Sequence, residues 1–348
     1  MRRVLFFLIF ISAFSVSIAQ MGLQVPQNPF GPMTMGKYPP PSWIRPGLTI
    51  VYQVEGGSRT AGKEGGSAYY STGYMIMIVT DVVQNVVYGI SIVCFTSPDI
   101  MLNPVQVYPL NGMAFMTPQG IQDMLKHKDE YAKDGIAVSG GRAQNGIFLT
   151  VTYKTTTTMV VIDDMGRILQ FSYKSTDPNS SQVMMGKLLG YTTANWPVVN
   201  SFPQIAMGSY TYRVSTYTAM MGGYSSVVGT SQIRYAGVQG RVARYNQTFQ
   251  TYGTTGMPAQ QTNQVFGVPS YGPFYVHPSL LRVQTILNIP DINFRWYNTP
   301  SQSGYGIDSV IEIGGMEVAR TTFDSRGLAI KSVLYNMGIY VVSELQRM

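Results

Sequence analysis

One cysteine and two histidines are all that 348 residues supply of the side chains that most often build metal centres and nucleophilic sites. A structural zinc site takes four Cys or His ligands, so the chain cannot assemble one in the usual way. Cys94 has no partner for an intramolecular disulfide, and stability must come from packed cores. A Ser/His/Asp or Cys/His site would need His127 or His277, and no Gly-x-Ser-x-Gly elbow is present. Charge is scarce too: only 12% of residues are Asp, Glu, Lys or Arg, and no Lys/Arg cluster forms a phosphate-binding stripe. The glycines punctuate hairpins instead of cradling a phosphate ahead of a helix. These absences predict no metal, no cofactor and no nucleic-acid partner.

What is present is tyrosine (24), methionine (21) and glycine (36) in a chain of net charge +7. Few charges and many uncharged polar and aromatic residues suit a β-rich protein outside the cytoplasm. Arg2 and Arg3 precede an apolar run from Leu5 to Ile18, and Ser17-Ile18-Ala19 supplies the small residues of a cleavage site before Gln20. The pattern predicts a signal peptide over residues 1–19 and a protein that is secreted or held in the periplasm or cell envelope. The run is short for a membrane span of about 20 residues. No other segment is apolar enough, so no transmembrane segment is expected after cleavage. Residues 20–42 form a Pro/Met/Gln-rich leader of polyproline-like or disordered character. Its Met33 and Met35 could take Cu(I), but without a neighbouring His an apolar tail is the simpler reading.

The rest of the chain carries one short stretch twice. Asn111-Gly112-Met113-Ala114-Phe115-Met116-Thr117-Pro118 is matched by Tyr271-Gly272-Pro273-Phe274-Tyr275-Val276-His277-Pro278, at an offset of 160 residues. Tyr52-Gln53-Val54 and Tyr212-Arg213-Val214 keep that offset, as do Asp164 and Asp324. A shared offset at separated places predicts tandem repeats, over residues 43–195 and 196–348. Each begins with strands (Leu48 to Val54, Tyr74 to Thr80, Val82 to Phe95; then Tyr210 to Thr218, Val227 to Tyr235, Arg241 to Phe249). Turns fall at Gln84-Asn85 and Gly222-Gly223, and Glu55 to Gly66 reads as a Gly-rich loop. Each then places one helix after the repeated proline and closes with a strand meander. The fold class expected is mainly β (α+β): two tandem copies of a curved antiparallel sheet, each with one short covering helix.

Paired carboxylates are the remaining enzymatic option. Asp308 and Glu312 share a strand face and Glu317 follows across Gly314-Gly315, while Asp163-Asp164 heads the matching hairpin of the first repeat. Acids alternating on a strand read as its solvent face, and an Asp at the head of a turn reads as its cap. The chain is therefore expected not to be an enzyme. His277 stands where the first repeat has Thr117, which predicts a capping or packing role.

The apolar helix faces offer a binding alternative. Ile121, Met124 and Leu125 fall at i, i+3 and i+4 after Pro118, and Leu281, Val283, Ile286 and Leu287 follow Pro278 on a helix expected to reach Leu287. These seven residues are the candidate ligand-binding set, facing an apolar space between helix and sheet. Export, the opening strand Leu48 to Val54, the Tyr74 to Phe95 hairpin and the helix before a closing meander resemble the LolA-like and LppX-like half-barrel carriers of bacterial envelopes. The Gly-aromatic-x-x-Pro segment and the Asp324 to Gly327 hairpin also resemble uncharacterised secreted prokaryotic proteins. The half-barrel resemblance implies an exported, non-enzymatic binding protein that holds a lipid, an acyl chain or another apolar small molecule. The alternative is a structural or adhesive cell-surface protein that self-associates or binds a cell-envelope component.

Overall fold

A computed structural model of the chain describes residues 30, 36–60, 67–97, 100–103, 105–144, 146–177, 180–218, 224–251, 260–336 and 339–346. The expected signal peptide, most of the leader with Met33 and Met35, and the turn residues Asn145 and Gly222-Gly223 lie outside the described residues. The first ten strands are β1 (Leu48–Thr60), β2 (Ser67–Val83), β3 (Val86–Ser97), β4 (Met101–Leu102), β5 (Gln106–Pro109), β6 (Ile136–Ala143), β7 (Gly146–Tyr153), β8 (Thr156–Ile162), β9 (Ile168–Asp177) and β10 (Ser180–Thr193). Next come β11 (Ser209–Thr218), β12 (Tyr224–Gln239), β13 (Val242–Thr251), β14 (Gln260–Gly267), β15 (Thr285–Ile289), β16 (Phe294–Pro300), β17 (Ile307–Ile313), β18 (Met316–Phe323), β19 (Ala329–Asn336) and β20 (Ile339–Leu345). The described helices are short: α1 (Pro118–Lys126), α2 (Lys128–Lys133) and α3 (Pro278–Leu281). The protein is mainly β and its strand pairings are antiparallel.

Two compact units divide the chain. The first is Pro26–Ile100 with Tyr108–Ala194, and the second is Asn195–Met348 with Met101–Val107. Strand order in the first unit is β3-β2-β1-β10-β9-β8-β7-β6. In the second it is β14-β13-β12-β11-β20-β19-β18-β17-β16-β15. In both, the opening strand lies between the second strand and the last one. No signal in the sequence marks Met101–Val107, which joins the second unit through Val107 opposite Phe266 and Met101 opposite Asn336.

Local chemistry explains these elements. Gln84 and Asn85 adopt φ of 50° and 66°, and Gly314 and Gly315 adopt 60° and 79°. Two consecutive left-handed residues make the two-residue hairpin turn that matches strand twist. In the first unit Ile50, Tyr52, Val54, Met75 and Met77 are buried on one face of β1 and β2, and Val51, Ile76 and Ile78 on the other. Burial on both faces is why β2 and β3 read as nearly unbroken apolar runs instead of alternating. Cys94 sits inside β3, where burial pushes its thiol up to about 12 and withholds the reactive thiolate.

Several expectations change. Glu55-Gly56-Gly57 is strand, not loop: β1 continues to Thr60 because β2 and β10 both pair with it along its length. Strand β10 has no counterpart among the expected strands, and it runs to Thr193, two residues short of the expected end of the first repeat at 195. Its Gly186 and Gly190 weaken the local strand signal, while pairing with β1 along the whole strand, and with β9 as far as Lys187, overrides it. The one helix expected after Pro118 breaks at His127 into α1 and α2. The helix expected to reach Leu287 ends at Leu281, because β-branched Thr285 and Ile286 join strand β15 against β16. Asn298 fixes that transition, its Nδ2 donating to Leu280 O and Val283 O at 2.8 Å each.

Candidate functional site

The repeated stretch forms a clasp with the closing hairpin of its own unit. In the first unit Gly112 N–H donates to Phe115 O at 2.8 Å and Met116 N–H donates to Gly166 O at 2.9 Å. In the second, Gly272 N–H donates to Tyr275 O at 2.9 Å and Val276 N–H donates to Gly327 O at 2.9 Å. The hairpin is shaped by one aspartate. Asp163 Oδ1 accepts from the N–H groups of Met165 and Arg167 at 3.0 and 2.9 Å, and Asp324 Oδ1 accepts from Arg326 and Leu328 at 3.0 and 2.9 Å. Each Oδ2 takes an arginine Nε–H, from Arg167 at 2.6 Å and Arg326 at 2.9 Å. The residue that does in the first hairpin what Asp324 does in the second is Asp163, not Asp164 as the constant offset predicts. The Tyr52 hydroxyl donates to Ile168 O at 2.9 Å and the Tyr212 hydroxyl to Ala329 O at 3.0 Å, tying each opening strand to the first residue of the strand after its closing hairpin, β9 or β19.

Three of the carboxylates flagged by the sequence, Asp308, Glu312 and Glu317, meet on one face of β17 and β18. Asp308 is buried, contrary to the expected solvent face, and both its oxygens are engaged. Thr322 Oγ1–H donates to Oδ1 at 2.7 Å and Arg320 donates to Oδ2 at 2.6 Å. Arg320 also forks onto Glu317, with Nε to Oε1 at 2.7 Å and its Nη2 to Oε2. The Glu317 carboxylate first, then Asp308, holds the Arg320 guanidinium above its ordinary range. Glu312 accepts from the Tyr297 hydroxyl at 2.7 Å and from Arg295 at 3.4 Å. Burial first, then the bond to Glu312, raises the Tyr297 phenol. Each carboxylate is thus committed to a fixed donor, an arrangement that suits a locked ionic network more than an acid and base meeting a substrate. At the corresponding register positions of the first unit stand Phe148 for Asp308, Met159 for Arg320, Val161 for Thr322, and the hydroxyl pair Thr152–Thr157 for Glu312 and Glu317.

The seven candidate ligand-binding residues do not lie on two equivalent helices. Ile121 and Met124 are buried under α1, and Leu125 is half-buried, its Cδ2 only 2.9 Å from where a Cβ on Gly140 would stand. Leu281 is buried at the end of α3, Val283 is half-buried in the loop after it, and Ile286 and Leu287 are buried in β15. A side chain lining a space wide enough for an acyl chain keeps accessible surface. Met124, Ile286 and Leu287 keep 0–1% of theirs. Burial of such side chains stabilises by about 1.5–3 kcal/mol each. Sequence reasoning missed the aromatic triangle of Trp196, Tyr271 and Trp296, whose ring centres are 6.0–6.3 Å apart. Trp196 is the first residue of the expected second repeat, and its indole anchors the core by donating to Ser270 Oγ at 3.0 Å.

No family model matches the sequence, and no curated protein does. A crystal structure of a protein of unknown function from the DUF3598 family of Nostoc punctiforme PCC 73102 is similar over 85% of this chain and 95% of its own. The identity is 10% and the TM-score 0.17, so this distant likeness carries no function across. Among the described residues no helix is long and apolar enough to cross a membrane, and no group of three metal-ligating side chains gathers.

The histidine of the second clasp has a defined duty. His277 Nδ1 accepts from Ser279 N–H at 3.1 Å as the N-cap of α3, the place Thr117 takes on α1 by accepting from Gly120 N–H at 3.1 Å. A protonated Nδ1 cannot accept. Desolvation, then Arg282, holds His277 below its ordinary 6.5. The unfolded chain then binds the proton more readily, so stability is full above 6.5 and falls as pH drops through the window down to the folded value. His277→Thr is expected to keep the cap and flatten that part of the pH profile, read as the difference between urea midpoints of the two proteins at pH 5 and pH 8.

Proposed function

We propose that the chain is two tandem copies of one β-rich unit and that it serves as a non-enzymatic structural or adhesive protein of the cell envelope, acting through self-association. The tandem reading is supported by the eight-strand order shared by the two units, by Tyr52 and Tyr212 in matching bonds, and by the two clasps. One observation carries the functional reading: the side chains best placed to line an apolar space are packed against protein. Gaps at glycines are closed the same way, Gly186 by the Phe171 ring, Gly272 by the Tyr275 ring and Gly140 by Leu125. The outward-facing polar strands, rich in Tyr, Thr and Gln, are then the surfaces available for work.

A second reading, closer to the half-barrel carriers, is favoured by three hydroxyls. Ser71 Oγ, Ser91 Oγ and Thr158 Oγ1 of the first unit are buried and have no hydrogen-bond partner among the described residues. Register places them on the same face as Tyr52 and Val54, the face Leu125 covers at Gly140. Buried hydroxyls of this kind take a water or a ligand's polar atom.

Sedimentation velocity across a wide concentration range, run beside titration with a fluorescent fatty-acid analogue, separates the two. Concentration-dependent assembly without fatty-acid uptake is the expected result. Saturable uptake by a strictly monomeric protein would replace the first reading with the second.

A further inference from the structure

Four sheet edges are exposed to pairing by the two strand orders, and three of them carry a local guard. At β3, Val87 N–H donates to Asn111 Oδ1 at 2.7 Å and Val87 O accepts from Leu110 N–H at 2.7 Å. At β15, Asn195 donates from N–H to Ile286 O and from Nδ2 to Thr285 O, both at 2.8 Å. At β6 the two helices α1 and α2 lie alongside. Strand β14 differs. It pairs with β13 from Gln260 to Gly267, and on its other side the described pairing is Phe266 with Val107. The five residues before that point, Gln260-Gln261-Thr262-Asn263-Gln264, are all exposed.

We propose that this stretch of β14 is the self-association site: it pairs antiparallel with β14 of a second copy of the chain, across a two-fold axis at Thr262. The inference rests on the self-association reading and names its surface. Three observations support it. The stretch is self-complementary when reversed, because a two-fold centred on Thr262 sets Gln260 opposite Gln264, Gln261 opposite Asn263, and Thr262 opposite itself. A closed two-fold contact requires such self-matching of one patch, and facing Gln and Asn amides can donate and accept along a ladder. No Asp, Glu, Lys or Arg lies between Arg244 and Arg282, so the usual lysine or inward charge that keeps an edge strand single is missing. No proline interrupts β14, so each of its main-chain N–H groups is intact for a ladder.

The test uses the intact chain and two substitutions. Thr262→Lys places like charges opposite each other at the axis; it keeps the main-chain pairing with Thr248 and gives up only the hydroxyl contact between the two threonines at 3.1 Å. Sedimentation equilibrium is expected to show dimerisation weakened by at least about tenfold, with unchanged circular dichroism. Thr262→Cys puts two thiols across the axis within the Cα separation a disulfide spans, about 4.4–6.8 Å. The one native thiol, Cys94, is buried and does not compete. Mild oxidation is expected to trap a disulfide dimer much faster than it does for Tyr305→Cys, at a loop position 82% exposed. Association that Thr262→Lys leaves untouched would overturn the β14 assignment while self-association itself stands. A chain that stays monomeric at every concentration would overturn both. Cross-linking no faster at 262 than at 305 would also overturn the proposal, whether the edge is then covered by a polar strand of another protein or by another part of this chain.

Discussion

Gly327→Ala is expected to destabilise the second unit by roughly 2–4 kcal/mol. Two separate costs meet at this residue. Its φ of +86° is one that a side chain adopts only with strain. A Cβ there would also stand 1.9 Å from Val276 O, a main-chain atom that cannot swing aside. Relief would have to come from the clasp, where Val276 N–H bonds Gly327 O. Gly314→Ala is the control, since its φ of +60° carries the dihedral cost but nothing lies within 4 Å of the new methyl. It should cost about 1 kcal/mol. Gly166→Ala, with φ +82° and a Cβ 2.2 Å from Met116 O, should behave like Gly327→Ala in the first unit. Hydrogen exchange read peptide by peptide checks all three. Gly327→Ala should accelerate exchange in β11 and β20 and spare β1 and β10, and Gly166→Ala should do the reverse.

The clasp was the most legible feature of the sequence, for a physical reason. Glycine, aromatic and proline occur there because the backbone needs a left-handed turn, a buried ring and a helix start at fixed spacing, and each demand is local. The 160-residue offset carries that spacing from Gly112 to Gly272 and from Thr152 to Glu312. It then slips by one. Between Glu312–Glu317 and Ile311–Ala319 the register skips Val318, a bulge that β7 and β8 lack, so the partner of Gly327 is Gly166 and that of Asp324 is Asp163. A constant offset cannot see a bulge, and it selected Asp164. Strand β10 was hidden because its stability comes from β1 and β9, far away in sequence, while its glycines argue locally against a strand. The helix after Pro278 was overextended because Ile286 and Leu287 satisfy a helical spacing and a buried strand equally well. The buried state of Asp308 was illegible too, since the alternation of acids along β17 has the same period whether a face is wet or covered.

Arg320→Met should be the most damaging single substitution, destabilising the second unit by about 3–5 kcal/mol. Among the described residues the guanidinium is the one cation bonded to Asp308, whose side chain is 3% exposed. Its loss leaves a carboxylate out of water with one hydroxyl donor, Thr322, and releases Glu317 beside it. Breaking one side of a buried pair costs more than the pair contributes, because the partner's desolvation is no longer offset. The first unit supplies the rescue. It fills the same register positions with Phe148, Met159 and Val161, so the sheet accepts apolar side chains there. The combined Asp308→Phe, Arg320→Met and Thr322→Val variant should therefore recover most of the lost stability. Urea unfolding of the single and triple variants decides the point. If the triple variant is as unstable as Arg320→Met, the ionic network is needed for more than filling that face, and Glu317 with Glu312 and Tyr297 becomes the group to examine for a bound partner. Recovery would make the network a solution to packing that the second unit reached with charge and the first with methyl groups and a ring.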